Sequence, residues 1–484
     1  MGTLSNLEPS RVFHYFEEIT KIPHGSYNVD MISDYLASWG KAHSLETYQD
    51  DLKNVIIIKE ASEGYEQEPP IILQGHMDMV AVHKPSCNID MKTEGLTVAV
   101  NEAGDYIYAE NTSLGGDDGI AIAYALAILE DDTIKHPRLE VIFTTNEETG
   151  MEGAAGIDLS MLKGNRLLNL DSEDEGIFLA GCAGGLRVNA TVPVWKEPVF
   201  GHRFTAQIGG LLGGHSGNEI DKERANSNKL VARFLYMLME AEGGSVYLTY
   251  IDGGEADNAI PRETRFQVIA KNPDTFERVA KKITEEVSNE LKTKDPGFCF
   301  KYSLKDITQI DAYECSDAIR FLYTVPNGIQ GTSKEIEGLV ETSLNLGIIT
   351  LVPGNSSEIK ATFSVRSSIE SAKDELANRV ACIAKMAGGK ADFHGAYPAW
   401  SYRSDSVLRE KMIKLYEEMY GKKPEVTVIH AGLECGLLGQ KIKDLDCVSI
   451  GPDMRDIHTT EEKLSISSTK RVYEYVCALL SLKD

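Results

Sequence analysis

The sequence predicts an α/β fold that is interrupted by a segment of different character. Strand-like and helical runs alternate over about the first 190 residues, which is typical of helices packed on a largely parallel sheet. The clearest runs are the buried strands NVIIIK at 54–59, PIILQ at 70–74 and LEVIFTT at 139–145, and the apolar helix GIAIAYALAILE at 119–130. The same alternation returns near the C-terminus, so residues 1–191 and 404–484 are expected to form one discontinuous domain.

The middle segment, residues 192–403, carries a weak internal repeat. Residues 246–291 and 342–389 each run through a strand, a Gly-rich turn, a second strand and an amphipathic helix. We interpret this segment as an inserted α+β domain that is built from two tandem copies of one unit. Coincidence is the alternative, because many α+β segments share this order of elements.

The composition excludes several classes of function. The 484 residues contain 49 Lys and Arg against 74 Asp and Glu, a formal charge of 49 − 74 = −25, which argues against nucleic acid or an anionic membrane as partner. The first residues lack the pattern of a signal peptide, and no run approaches the roughly 20 apolar residues of a membrane span. The eight cysteines include no C-x-x-C pair, which favours reduced thiols. We therefore expect a cytoplasmic protein.

Five loops present Asp, Glu or His at the end of a predicted strand or at the start of a helix. They are LQGHMDMV with His76 and Asp78, NTSLGGDDGIA with Asp117 and Asp118, VIFTTNEETG with Glu147 and Glu148, RLLNLDSEDEG with Asp171, and GPDMRDIHTTEE with His458. Each loop alone has an ordinary explanation, such as a polar turn, a helix N-cap or a solvated pair of carboxylates. Loops beyond the carboxyl ends of strands are nevertheless where open α/β sheets place their sites.

The combination of these side chains predicts a metal centre. Carboxylates and imidazoles are the ligands of divalent metals such as Zn²⁺, Mn²⁺ and Co²⁺. Two ions need a shared bridging carboxylate, so one His and one carboxylate for each ion plus one bridge gives five ligands. The five loops supply that number.

These motifs, together with LLGGHSGNEI and NAIPRE, resemble the M20 metallopeptidase family and, within it, the bacterial aminoacyl-histidine (Xaa-His) dipeptidases. The resemblance extends over nearly the whole chain. It implies a catalytic domain of the phosphorylase/hydrolase-like fold at 1–191 and 404–484, with the inserted segment 192–403 as a lid. It also implies that the peptide bond between Asp117 and Asp118 is cis.

The resemblance implies a role for each residue of the expected metal centre. Asp117 bridges two divalent ions, most simply zinc, with manganese or cobalt as alternatives. His76 and Asp171 complete one site, and Glu148 and His458 complete the other. Asp78 holds the His76 imidazole in its ligating orientation. Glu147 is the general base that acts on a water held between the ions.

Four residues outside the metal centre are expected to act on the substrate. His215 in GGHSG resembles the family's lid histidine, which contacts the reacting carbonyl, and a flexible turn is its alternative. Arg366 resembles the ligand of the substrate carboxylate, with an ordinary surface arginine as the alternative, and Asn258 is expected to assist it. Glu434 in HAGLECG either meets a substrate ammonium or has a structural role.

The expected activity is hydrolysis of dipeptides with free termini, including Xaa-His peptides such as β-alanyl-histidine. The alternative is an aminoacylase or carboxypeptidase on the same pair of ions. A binding protein without catalysis would lack the base, and Glu147 is present. The chain is expected to be a monomer or homodimer in which His215 and Arg366 serve one site within one chain.

Overall fold

The computed structural model describes residues 2–334, 336, 338–353 and 357–484, apart from the side chain of Thr308, and divides into two compact units. Unit 1 runs from the N-terminus to Gly181 and includes Tyr402–Val428 and Leu433–Asp484. Unit 2 comprises Cys182–Ser401 and Ile429–Gly432. The Gly-rich turn predicted in the second repeat includes residues 354–356, which lie outside the described residues.

The α-helices of the described residues are numbered in chain order. They are α1 (Ser10–Thr20), α2 (Asp30–Ala42), α3 (Gly116–Glu130), α4 (Glu147–Gly150), α5 (Glu152–Gly156), α6 (Ser227–Ala241), α7 (Pro273–Glu290), α8 (Ser316–Thr324), α9 (Glu370–Met386), α10 (Val407–Tyr420), α11 (Cys435–Lys441) and α12 (Ile466–Leu480). None of these helices has the length and apolar character that a membrane crossing requires.

The strands of the described residues are numbered in the same way. They are β1 (Glu46–Gln49), β2 (Val55–Lys59), β3 (Ile71–His76), β4 (Val98–Val100), β5 (Tyr106–Ala109), β6 (Leu139–Thr144), β7 (Arg166–Asn169), β8 (Ile177–Cys182), β9 (Gly184–Pro193), β10 (Trp195–Gly209), β11 (Gly214–His215), β12 (Tyr247–Gly253), β13 (Ala259–Ile260), β14 (Thr264–Ala270), β15 (Cys299–Glu314), β16 (Gly328–Thr332), β17 (Val340–Val352), β18 (Glu358–Ser367), β19 (Lys390–Tyr397), β20 (Glu425–Ile429), β21 (Asp446–Ser449), β22 (Met454–Arg455) and β23 (Lys463–Ser465).

The main sheet of unit 1 has the strand order β1-β2-β6-β3-β7-β21-β8-β20. Strands β6, β3, β7 and β21 run parallel to one another, whereas β1 pairs antiparallel with β2, β2 with β6, and β8 with β21. Every residue of β3, β6 and β21 is buried, which accounts for their apolar sequences, because central parallel strands are covered on both faces. The predicted α/β class is confirmed, but the sheet is mixed: its three central pairings are parallel, and three pairings towards its edges are antiparallel.

Helix α3 is the most deeply buried element of unit 1. All of its residues from Gly116 to Leu129 are buried, and its small alanines let it pack against strand β3 and helix α1. Its first turn is not regular helix, because Asp117 and Asp118 have non-helical backbone angles. The helix therefore presents two carboxylates where its regular part begins.

A small second sheet in unit 1 has the order β22-β23-β5-β4. It holds the loop between β22 and β23, which contains His458 in a left-handed conformation with φ of 62°. The loop thus depends on short strands that have no strong signature in the sequence.

Unit 2 is built on an antiparallel sheet with the order β14-β10-β15-β12-β17-β18-β9-β19, and β16 pairs with β17. Helices α6, α7, α8 and α9 contribute the apolar residues that pack with those of the sheet in one core. In α7 the buried residues follow helical spacing, and Phe276 stacks on Phe204 of β10 with 3.8 Å between ring centroids.

The sequence pattern predicts the domain boundaries at 191/192 and 403/404, and the two units divide the chain at 181/182 and 401/402. Unit 2 also includes Ile429–Gly432, since the amide of Ala183 donates to the carbonyl of Ile429 at 3.1 Å and His430 Nε2 lies 2.7 Å from Ser343 Oγ. The predicted repeat corresponds to β12, β14 and α7 and to β17, β18 and α9. A common origin of the two copies stays a prediction.

Candidate metal centre

Three neighbouring parallel strands of unit 1 bring candidate ligands to one edge of the sheet. His76 is the last residue of β3, Glu148 follows β6, and Asp171 lies two residues beyond β7. Because β6, β3 and β7 are adjacent and parallel, their carboxyl ends meet. Asp117 joins them from the start of α3, and His458 joins them from the loop between β22 and β23.

Asp117 lies between the two histidines. Its Oδ1 is 3.0 Å from His76 Nε2, and its Oδ2 is 3.1 Å from His458 Nε2. Asp171 Oδ1 lies 3.6 Å from His76 Nε2, and Glu148 Oε1 lies 2.9 Å from His458 Nε2. The structure therefore brings together all five side chains that the sequence singles out as ligands. One carboxylate oxygen of Asp117 lies next to His76, and the other lies next to His458.

Two groups of three side chains place their ligand atoms within 4.8 Å of one another: His76, Asp117 and Glu148, and His76, Asp118 and Asp171. Asp118 was not among the expected ligands. Its Oδ2 accepts a hydrogen bond from the His76 amide at 3.2 Å, and its Oδ1 is buried without a hydrogen-bond partner among the described residues. The Asp-Asp pair in the sequence was the signal that could have found it.

The cis peptide bond expected between Asp117 and Asp118 is present. The prediction that rested on the resemblance is thus confirmed.

Asp78 organises the loops around His76. Its backbone carbonyl accepts from His76 Nδ1 at 2.9 Å, which leaves the Nε2 lone pair of His76 on the side of Asp117 and Asp171. The Asp78 carboxylate accepts instead from the amide of Glu147 at 3.0 Å and from Ser26 Oγ at 2.8 Å. Asp78 therefore orients the imidazole through its backbone and holds the Glu147 loop through its side chain.

Glu434 lies in the interior of unit 1. This residue is fully buried, with 0% of its surface exposed. Its Oε2 accepts hydrogen bonds from Gln74 Nε2 at 2.6 Å and from Thr144 Oγ1 at 2.5 Å. Burial raises the pKa of Glu434 to about 7. These bonds to β3 and β6 support the structural alternative, and the other oxygen, Oε1, is buried without a hydrogen-bond partner among the described residues.

The remaining expected residues belong to unit 2, where they lie around Gly217. A Cβ atom at Gly217 would lie 3.0 Å from His215 Cε1 and 3.2 Å from Arg366 Nε. The carbonyl of Asn258 accepts from the Ser216 amide at 2.8 Å. His215, Arg366 and Asn258 are thus close to one another within this unit.

Arg366 is buried but keeps hydrogen-bonding capacity. Its Nη1 donates to the Tyr397 hydroxyl at 2.7 Å, and its Nε is buried without a hydrogen-bond partner among the described residues. Sequence reasoning missed Tyr397 and also Ser26, the partner of Asp78. Nothing in the sequence marks either residue, because they lie 31 and 52 positions from the residues they bind.

The family model for peptidase family M20/M25/M40 matches residues 72–482.

The chain belongs to peptidase family M20/M25/M40.

Two dipeptidases match this chain over nearly its full length, and a third protein shares its fold. The cytosol non-specific dipeptidase of Escherichia coli is 34% identical over 486 residues, which cover 99% of each chain. The crystal structure of the aminoacylhistidine dipeptidase from Vibrio alginolyticus has a TM-score of 0.89 and 33% identity, covering 100% of this chain and 98% of that one. The aminopeptidase PepT of Bacillus cereus has a TM-score of 0.62 at 16% identity, covering 98% of each chain, and shares the fold.

The electrostatics of this M20 centre fit bound cations. Burial raises the pKa of Asp171 to about 7, and the neighbouring Asp117 carboxylate adds to that shift against the opposing effect of His76. Burial also raises the pKa of Asp118 and of Glu147 well above their ordinary values. Carboxylates that are crowded and buried in this way are stabilised by positive charge, and the imidazole and carboxylate donors suit a divalent metal.

Proposed function

We propose that this chain hydrolyses dipeptides with free termini and needs divalent metal ions to do so. The observation that carries the proposal is the cluster of five ligand-type side chains at one edge of the unit 1 sheet, in a chain with full-length similarity to two dipeptidases. Xaa-His peptides are included among the expected substrates, since the Vibrio relative is an aminoacylhistidine dipeptidase.

The donor set suits two ions, for which zinc is the first candidate and manganese and cobalt are alternatives. Asp117 would be shared, His76 and Asp171 would hold one ion, and Glu148 and His458 would hold the other. The bound ions would supply Lewis acidity, which lowers the pKa of a water and polarises the scissile carbonyl.

Glu147 is the proposed general base. It lies beside the ligand Glu148, and its backbone amide is tied to Asp78 at 3.0 Å. Burial raises the pKa of Glu147 well above its ordinary value, which makes the ionised carboxylate a stronger proton acceptor. Its carboxylate would take a proton from the attacking water and pass it to the nitrogen of the leaving amino acid.

The residues around Gly217 are the proposed substrate contacts. His215 would donate a hydrogen bond to the oxygen of the reacting carbonyl as negative charge develops there. Arg366, whose buried Nε has no hydrogen-bond partner among the described residues, would bind the free carboxylate of the dipeptide with help from Asn258. We assign Glu434 to holding β3 and β6 together.

We further propose a cytoplasmic location and a monomer or homodimer without nucleic-acid or membrane partners. The net charge of −25 supports the absence of polyanionic partners, and the name of the Escherichia coli relative supports the location.

The experiment that tests the function compares a panel of free dipeptides, β-alanyl-histidine among them, with N-acetyl amino acids and with dipeptides blocked at either end. Release of free amino acids is measured for the zinc-loaded protein. Turnover of free dipeptides and much slower turnover of blocked ones is expected. Preference for N-acetyl amino acids would instead identify an aminoacylase.

A further inference from the structure

The tight turn from His215 to Glu219 in unit 2 holds the histidine ring by one of its nitrogens. The backbone amides of Gly217 and Asn218 both donate to His215 Nδ1, at 3.2 Å and 3.0 Å. Two N–H groups thus converge on one ring nitrogen. A nitrogen that receives these hydrogen bonds must offer a lone pair.

This arrangement decides where the ring carries its hydrogen. A neutral imidazole has one N–H and one lone pair, and an imidazolium has two N–H groups and no lone pair. Because Nδ1 accepts, the hydrogen of the neutral ring is on Nε2. Rotating the ring by half a turn would aim the Cδ2 hydrogen at the two amides, so the contacts also fix the orientation of the ring.

The turn itself is held at several points. Glu219 Oε2 accepts from the amide of His215 at 2.9 Å, and Glu219 in turn pairs with Lys222 at 2.7 Å and Arg224 at 3.2 Å. The hydrogen bond from Lys222, followed by that from the His215 amide, lowers the pKa of Glu219 to about 2, so this carboxylate is ionised at neutral pH.

Residue 217 must be glycine for the turn to keep this shape. A Cβ atom there would lie 2.5 Å from the carbonyl oxygen of His430, closer than real Cβ atoms come to a backbone atom, and 3.0 Å from His215 Cε1, which is a tight contact. The glycine therefore lets the amides of residues 217 and 218 reach the ring.

We propose that this turn sets His215 as the neutral tautomer with its hydrogen on Nε2, so that the residue presents a hydrogen-bond donor to the substrate and not a transferable proton. Gly217, Asn218 and Glu219 are then positioning residues, the first two through their backbone amides. No bond to hydrogen breaks at His215 during hydrolysis, and the proton of the attacking water passes through Glu147 alone. The tautomer stands independently of the proposed function, whereas its use on a carbonyl oxygen rests on that function.

The tautomer is tested by nitrogen NMR of the zinc-loaded full chain that is labelled with ¹⁵N in the histidine rings. His215→Asn identifies the signals of residue 215 by their loss. We expect Nδ1 of His215 to have the shift of an unprotonated ring nitrogen and Nε2 that of a protonated one at neutral pH. A protonated Nδ1 overturns the proposal.

Two variants, each with a glycine replaced by alanine, test whether the turn sets the tautomer of His215. Gly217→Ala should shift the His215 signals towards the mixture of tautomers seen in a solvated histidine. Gly331→Ala is the matched control in unit 2, because a Cβ atom there meets its nearest neighbours at an ordinary 3.7 Å. If Gly217→Ala leaves the His215 signals unchanged, the turn does not set the tautomer.

Two substitutions test which nitrogen acts. The amide of glutamine reaches about as far as Nε2, whereas the amide of asparagine reaches only as far as Nδ1. His215→Asn should lower kcat by about 10²–10³-fold, as loss of such a donor does, and His215→Gln should retain about ten times more activity. Equal losses would overturn the role of Nε2. If the unaltered chain hydrolyses no dipeptide, the proposed function fails, and the NMR result still decides the tautomer.

Discussion

Glu147 and Glu148 are neighbours in the chain but have different surroundings. Glu148 Oε1 lies 2.9 Å from His458 Nε2, and the same nitrogen lies 3.1 Å from Asp117 Oδ2. The backbone amide of Glu147 donates to the Asp78 carboxylate at 3.0 Å. We propose that one of these two chemically identical side chains holds a cation and that the other moves a proton.

Replacing each glutamate separately by glutamine distinguishes the role of general base from that of metal ligand. Glu147→Gln should keep the bound metal and lose about 10²–10⁴-fold in kcat, because the amide cannot accept the proton. Glu148→Gln should lose metal affinity, because the amide replaces a charged ligand. Elemental analysis after dialysis and steady-state kinetics measure the two effects. If both variants bind the same amount of metal, the assignment of base and ligand is wrong.

His430 makes the stability of unit 2 depend on pH. Burial, followed by the charge of Arg366, lowers its pKa to about 3, so the ring is neutral in the folded chain. The unfolded chain binds a proton at this histidine below about pH 6.5. The folded state therefore binds fewer protons between pH 6.5 and 3, and stability falls as the pH is lowered through that window.

The His430→Gln variant isolates this effect. From pH 6.5 to 5 the unaltered chain should lose about 2 kcal/mol more of its free energy of unfolding than the variant, which has no group to protonate. Urea unfolding at both pH values, followed by a probe in unit 2, gives the comparison. Equal losses in the two proteins would show that His430 does not titrate abnormally.

At the scale of elements, strand β3 and helix α3 meet at Gly75. A Cβ atom at this position would clash with Asp118 Oδ2 and with the Cβ atom of Ala121. The close approach lets the Asp118 carboxylate reach the His76 amide at 3.2 Å. The glycine thus sets the distance between the strand that carries His76 and the helix that carries Asp117.

Gly75→Ala should destabilise unit 1 by about 1–3 kcal/mol, since both neighbours are buried and the helix or the strand must shift. Gly439→Ala in helix α11 is the matched control, because its Cβ atom would lie 3.8 Å from Leu445 and alanine favours a helix. Thermal unfolding of the metal-loaded proteins measures the difference. A Gly75→Ala protein as stable as the Gly439→Ala protein would contradict this packing argument.

The sequence predicts the elements whose pattern is long or strongly apolar. The helix predicted over 119–130 and the strands predicted over 54–59, 70–74 and 139–145 correspond to α3, β2, β3 and β6. Strand β3 runs two residues further, to His76, because its last residues still pair with β6. The short strands β22 and β23 could not be predicted, since two or three residues carry no periodicity.

The clustering of the five side chains expected as ligands could be predicted because their motifs are specific and stand at the ends of strands or at the start of a helix. Contacts that depend on the three-dimensional fold could not be predicted from the sequence. Asp118, Ser26 and Tyr397 reach His76, Asp78 and Arg366 across turns and between strands that only the three-dimensional structure defines. Likewise, Glu434 appears as a loop residue in the sequence but is buried against β3 and β6.

At the scale of the whole molecule, metal should control both activity and stability. The candidate ligands span the chain from His76 to His458, so bound ions would join the first and last segments of unit 1. Protein stripped by a chelator should be inactive, and Zn²⁺, Mn²⁺ or Co²⁺ should restore activity.

Stripping should also lower the melting temperature, because ligand binding at 1,000 times Kd stabilises a fold by about 4 kcal/mol. Calorimetry with and without added zinc provides the measurement, and magnesium at the same concentration is the control. Full activity in chelator with no metal by elemental analysis would falsify the metal requirement.

One chain should supply every residue that the reaction needs. His215 and Arg366 lie together around Gly217 in one unit 2, so we expect these two residues to serve the same site, and we propose that this site belongs to their own chain. Inactive His215→Ala and Glu147→Gln proteins are mixed under conditions that permit subunit exchange. The mixture should stay inactive, and recovery of activity would show that the histidine acts on a neighbouring chain.

The strand order of unit 1 has a consequence for synthesis on the ribosome. Strand β21 lies between β7 and β8, yet about 280 residues separate Asn169 from Asp446 along the chain. At about 5–20 residues per second the ribosome needs roughly 14–55 seconds for that stretch. Throughout this time the nascent chain has β7 with an open edge and no His458, so it is exposed to strand-to-strand aggregation and has an incomplete metal centre. Chaperone binding to nascent chains of this protein should therefore persist until the segment at 446–449 has emerged.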